Sequence, residues 1–161
     1  MKMKLQKQII KHNPPETYGD CHRACIASVT GHDIETVPHF FDKDIDTHEA
    51  FGSVHTYLSK EGWFCFDVDL IVSMPKRAEV KEFLRQRLSP EAVCIVSGTL
   101  DRNGRIGHSC LYKNGVIMFD PRPMADDPNG LFPFQTEGES GTEYHYHLSI
   151  LGTQHPVDVL F

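Results

Sequence analysis

The sequence carries no surplus of positive charge. Its 16 lysines and arginines stand against 22 aspartates and glutamates, a formal net charge of −6 with histidine neutral. A dedicated nucleic-acid binder normally presents a basic patch, and no basic run with interleaved aromatics occurs here. Nucleic acid is not an expected partner. Long hydrophobic runs are missing as well. The longest uncharged apolar stretches, such as "AVCIV" and "GVIMF", fall far short of the ~20 residues that span a bilayer, so no membrane association is expected. The N-terminal "MKMKLQKQII" is basic but has no long apolar core or small-residue cleavage site, and it does not read as a signal peptide.

Regular cysteine spacing is also absent. Five cysteines, an odd number irregularly placed, do not make a disulfide framework. A reduced, cytoplasmic chain is the expectation, and it leaves thiol chemistry open. There is no internal repeat, no low-complexity tract and no interdomain linker. What is present is ordinary for a globular protein: 161 residues, 40% hydrophobic and 24% charged. That is enough to bury a core, and the chain is expected to form one domain over residues 1–161.

The local patterns divide the chain into a helical first half and a β-rich second half. "LQKQII" (5–10) reads as a short strand, and "KHNPPETYGD" (11–20) as a loop, because paired prolines cannot continue either regular element. Residues 21–30 read as a helix with Cys21, Ala24, Cys25 and Ser28 on one small-residue face. Asp20 is the expected N-cap and Gly31 the expected stop. One helical turn is expected in "DIETVPHFF", ending before Pro38. A longer helix over 47–61 places Phe51, Val54, Tyr57 and Leu58 inward, with Gly62 past its end. "WFCFDVDL" suggests a strand, and 76–88 an amphipathic helix with Val80, Phe83, Leu84 and Leu88 on its apolar side.

After Pro90, "AVCIVSGTL", "GHSCLYK", "GVIMFD" and "EYHYHLSIL" are β-type runs, and Asn114-Gly115 is a hairpin signal. The expected class is α+β, with N-terminal helices packed on a C-terminal antiparallel sheet.

Chemistry is most concentrated at two places. A free thiol, with a pKa of about 8.5, is little ionised at neutral pH. A nucleophilic cysteine therefore needs a helix N-terminus, an imidazolium partner, or both. Cys21 sits in the first turn of its helix, where unpaired N–H groups and the helix dipole favour a thiolate; Cys25 lies one turn deeper. Of the ten histidines, His108 opens "GHSCLYKNGVIMFDPRP", a hairpin whose returning strand ends at Asp120. A two-residue turn at Asn114-Gly115 pairs positions whose numbers total about 229. That register sets His108 across from Pro121 and leaves Asp120 one step out of alignment, to be recovered by twist or a bulge.

Taken as a set, "GDCHRACIAS", "VPHF" and "GHSCLYKNGVIMFDPRP" resemble the papain-like cysteine peptidase superfamily. The similarity is greatest to the bacteriocin-leader-peptidase branch and its small phage-associated relatives. It covers landmarks from Tyr18 to Pro123, in order. The resemblance implies a Cys-His-Asp arrangement in a hydrolase, with Cys21 as nucleophile, His108 as general base and Asp120 as the orienting residue, acting on a peptide or protein substrate without a cofactor or metal. It also implies an upstream Gln whose side chain completes an oxyanion hole with the cysteine N–H. Here the chain departs from the pattern: the position six before Cys21 is Pro15. Gln8 and Gln6 are the alternatives, and Gln8 is preferred because the Pro-Pro loop can fold it back. Asp20 places a negative charge beside the thiol.

The same residues also fit a catalytically weak or inactive domain of this fold that holds a peptide or protein. Elsewhere, His145 and His147 in "HYH" share a strand face and form a possible metal pair, but no cysteine or carboxylate at ligand spacing accompanies them. "CHRAC" lacks a second cysteine pair and fits zinc poorly. Trp63 reads as core.

Overall fold

A computed structural model describes residues 2–13, 15–42, 45–72, 82, 85–86, 90–99, 107–122, 144–153 and 158–160. The elements run β1 (Lys2–Lys4), α1 (Cys21–Thr30), a 3-10 turn at Ile34–Thr36, α2 (Thr47–Lys60), β2 (Trp63–Val72), β3 (Val93–Thr99), β4 (Gly107–Lys113), β5 (Val116–Phe119), β6 (Tyr144–Thr153) and β7 (Asp158–Leu160). The class is α+β. β1 pairs in parallel with β7, and a five-stranded antiparallel sheet has the order β2-β6-β3-β4-β5. Two compact units are distinguishable: Met1–Cys65 with Pro121–Met124 and Gly152–Phe161, and Phe66–Asp120 with Ala125–Leu151.

In the first unit, α1 packs against β1 and the 3-10 turn. Its small residues allow this. Ala24, Cys25, Ala27 and Ser28 are fully buried together with Ile26 and Val29. Ser28 bridges two backbones: its hydroxyl donates to Ala24 O (2.7 Å) and accepts from the N–H of Gln6 (2.8 Å). α1 stops at Gly31, in the left-handed region (φ 76).

The expected strand over 5–10 is displaced toward the N-terminus. Only residues 2–4 find a ladder partner, in β7. Beyond Lys4 the N–H groups of Gln6, Ile9 and Ile10 donate instead to side chains, Ser28 of α1 and Asp20 before it, and that of Gln8 to Pro121 O.

α2 has the expected limits within a residue. Asp46 caps it, accepting from the N–H groups of His48 (2.9 Å) and Glu49 (3.2 Å). Ala50, Val54 and Leu58 form its buried stripe, while Phe51 and Tyr57 flank it half-buried. Trp63, at the start of β2, is buried. The helix expected at 76–88 lies largely outside the described residues; Glu82, Arg85 and Gln86 are helical, with an Arg85–Glu82 pair on one side.

In the second unit, β3 is buried at Val93–Val96 and β4 at His108–Tyr112, without alternation. Both faces of these strands are therefore covered, the pattern of central rather than edge strands. β2 precedes Pro90 yet joins the sheet at its edge beside β6.

Candidate functional site

Cys21 is the first residue of α1 and is partly exposed. The first intrahelical bond is Ala24 N–H to Asp20 O (2.9 Å), so the N–H groups of the first turn point outward unbonded within the helix. Asp20 does not cap them. With φ −101 and ψ 28 it makes no side-chain cap bond. Its Oδ1 accepts instead from the backbone N–H groups of Ile9 (3.1 Å) and Ile10 (2.9 Å). Its Oδ2 has no hydrogen-bond donor and faces Arg23 Nη1 at 3.6 Å. The charge beside Cys21 is thus buried and directed at backbone donors and an arginine.

The loop before the helix explains how a distant glutamine reaches it. The chain leaves at Ile10 and returns at Asp20, whose N–H donates to Ile10 O (3.4 Å). Between them, Asn13 and Thr17 form an isolated antiparallel bridge, and Gly19 N–H donates to His12 Nδ1 (3.1 Å). Residues 11–19 are therefore an excursion that adds sequence without adding distance. Gln8 Nε2 donates to the same Ile10 oxygen (3.1 Å), so its amide shares an acceptor with the backbone N–H immediately before Cys21. The Gln8 N–H donates to Pro121 O (2.8 Å).

Gln6 is committed elsewhere. Its side-chain oxygen accepts from Ile34 N–H (3.0 Å) and its nitrogen donates to His32 O, past the opposite end of α1. Of the two glutamines, Gln8 is the one at the Cys21 end.

His108 and Asp120 are both 4% exposed, and Nε2 of His108 lies 2.8 Å from Oδ1 of Asp120. A carboxylate only accepts, so Nε2 is the nitrogen that donates to Asp120. A register shift brings the two together. Lys113 pairs with Val116 and Tyr112 with Ile117, but Leu111 pairs with Phe119, leaving Met118 as an extra residue on β5. Without the bulge Asp120 would oppose Ser109, on the other face of β4 from His108. With it, the register continued by one residue sets Asp120 across from Cys110, on the face His108 shares.

Cys110 is fully buried, and ligand atoms of His108, Cys110 and Asp120 lie within 4.8 Å of one another. An imidazole, a thiol and a carboxylate form a donor set that could hold zinc. Cys110 was not singled out in the sequence; its position two after His108 on a strand was the available signal.

The opposite face of the same sheet carries a second polar group. Ser97 is paired with both His147 and Ser109, and the Ser97 and Ser109 hydroxyls are 2.8 Å apart. His147 meets Asp69 through Nδ1 (2.9 Å) and Asp67 through Nε2 (3.3 Å), while Ser149 Oγ donates to Asp67 (2.7 Å). The "HYH" stretch is thus paired through His147 with the "DVD" stretch of β2. No family model, curated protein or solved structure matches the chain. Among the described residues, no helix is long and apolar enough to cross a membrane.

Proposed function

We propose that the protein is a papain-like thiol hydrolase that cleaves a peptide, isopeptide or related amide bond. In this reading His108 takes the Cys21 thiol proton at Nδ1, and the thiolate attacks the carbonyl carbon. The resulting oxyanion is held by the Cys21 N–H and by the Gln8 amide. On collapse, His108 returns the proton to the leaving amine. Water, deprotonated by the same ring, then hydrolyses the thioester and regenerates the thiol. Asp120 keeps the imidazole in the one tautomer that can do this.

The observation that carries the reading is the buried His108–Asp120 pair, bonded through Nε2. A solvent-exposed histidine would need no such partner. The partly exposed Cys21 at a helix start and the Gln8 amide beside that start support the remaining roles.

Iodoacetamide labelling across pH, followed by peptide mapping, tests the assignment without knowledge of the substrate. Cys21 is expected to react fastest below pH 7, and His108→Ala is expected to abolish that advantage. Faster labelling of Cys65, or Cys21 kinetics indifferent to both His108→Ala and Asp120→Asn, would remove the catalytic reading and leave a peptide-binding domain.

A further inference from the structure

We infer that Asp20 is the positioning residue that holds the Gln8 amide at the Cys21 end of α1, through its shape as a hydrogen-bond acceptor rather than through its charge. The inference rests on the thiol-hydrolase reading of Cys21. An oxyanion donor contributes only if it is in place before charge develops, because reorganising it during the reaction forfeits its advantage. Gln8 lies thirteen residues before Cys21, separated from it by the 11–19 excursion. Bonds within that stretch, the Asn13–Thr17 bridge and Gly19 N–H to His12 Nδ1, close the loop on itself but do not reach Ile9 or Gln8.

Asp20 does reach Ile9. One carboxylate oxygen accepts from two successive backbone N–H groups, those of Ile9 and Ile10, and the Asp20 N–H reaches back to Ile10 O. Three bonds thus join the residue before Cys21 to the two residues after Gln8. Ile10 O is also the acceptor for Gln8 Nε2, which turns one amide N–H inward and fixes the plane in which the other projects. The carboxylate is held from behind as well. It is 1% exposed and faces Arg23, whose Nε donates to Val37 O at 2.6 Å. A residue serving only as a helix cap would have bonded the first-turn N–H groups, as Asp46 does for α2. Asp20 leaves those groups to face outward.

The test separates attack on a carbonyl from simple thiolate reactivity. p-Nitrophenyl acetate acylates a thiolate through an oxyanionic intermediate: the C–S bond forms, the C–O bond to the aryl group breaks, and p-nitrophenolate leaves with the electron pair. Iodoacetamide alkylates the same sulfur by displacing iodide, with no oxyanion. Asp20→Ala and Asp20→Glu are expected to slow the p-nitrophenolate burst by about tenfold or more, toward the roughly 100- to 1,000-fold that outright loss of an oxyanion donor costs, with alkylation of Cys21 within about twofold of wild type. Asp20→Asn, which keeps an acceptor oxygen in place, is expected to restore most of the burst, and Gln8→Ala to match Asp20→Ala.

A burst unaffected by Asp20→Glu and Asp20→Ala, or one that falls in step with alkylation, overturns the inference. So does a pattern in which Asp20→Glu behaves as wild type and Asp20→Asn does not, which would make charge the operative property. If Asp20→Ala does not fold, the Glu and Asn pair decides alone. A burst equally large in Cys21→Ser overturns the thiol-hydrolase reading itself, whatever the Asp20 variants do, and this inference with it.

Discussion

His108 Nε2 and Asp120 Oδ1 are 2.8 Å apart although the hairpin turn between them, taken alone, would direct their side chains to opposite faces of the sheet. Asn114 (φ 52) and Gly115 (φ 67) both have positive φ, as a two-residue type I′ turn requires. The turn sets the register, and the extra residue at Met118 then changes it. Deleting Met118 should remove the bulge while leaving Phe119 across from Leu111 and Asp120 across from Cys110, because the shortened strand then follows the register of the turn throughout. The expected result is retention of the downfield imidazole N–H proton signal of His108 in NMR spectra, with the β3–β4 ladder retained. Loss of that signal would show that the pair needs the local twist of the bulge and not the register alone.

Breaking the pair from one side should be costly to stability. Asp120→Ala leaves a buried imidazole N–H without its acceptor, and a buried donor left unsatisfied costs about 1–3 kcal/mol. Asp120→Asn preserves an acceptor oxygen and should cost about 1 kcal/mol, the scale of one ordinary hydrogen bond. Urea unfolding of the two variants checks both the order and the gap.

The five cysteines should fall into two classes. Cys21 and Cys65 are partly exposed, whereas Cys25, Cys94 and Cys110 are fully buried. Brief alkylation of the native protein should give no more than two adducts by intact mass, and five after unfolding. Rapid modification of Cys110 in the native state would mean that the hairpin opens readily beside His108.

Gly19 is required by a close approach. A Cβ there would lie 2.8 Å from His12 Cβ and 3.0 Å from His12 N, the second of which is backbone and cannot swing away. Gly19→Ala should therefore destabilise the loop before Cys21 by about 1–3 kcal/mol, the usual cost of overpacking. It should also weaken the Gly19–His12 bond. Thermal melting reads the loss. Adding His12→Gly should recover only part of it, since the clash with the backbone nitrogen persists.

Much of the local structure was legible because its determinants lie within a few residues of each other. Small residues at 21, 24, 25 and 28 with Gly31 behind them specify α1. Asn114-Gly115 specifies the β4–β5 turn, since few other dipeptides tolerate two positive φ values. The strand runs after Pro90 were recognisable from their β-branched and aromatic content. Asp20 and Asp46 looked alike in the same context, each an aspartate one residue before a helix. Only one caps, because Asp20 has competing donors in Ile9 and Ile10 that no local pattern announces.

The sequence by itself thus determined the α+β class, the helix that begins with Cys21 and the hairpin that carries His108. These follow from backbone preferences and hydrophobic periodicity, which act over one or two turns of chain. Only the tertiary structure decided that Asp120 shares a face with His108, that Gln8 rather than Gln6 reaches the start of α1, and that Cys110 lies against the imidazole–carboxylate pair. Each of those outcomes depends on where a polar group finds its partner once the chain has closed on itself. A buried donor or acceptor left unpaired costs about 1–3 kcal/mol, so the chain adopts the register and the loop path that satisfy such groups, and several partners that do so lie ten or more residues away in sequence.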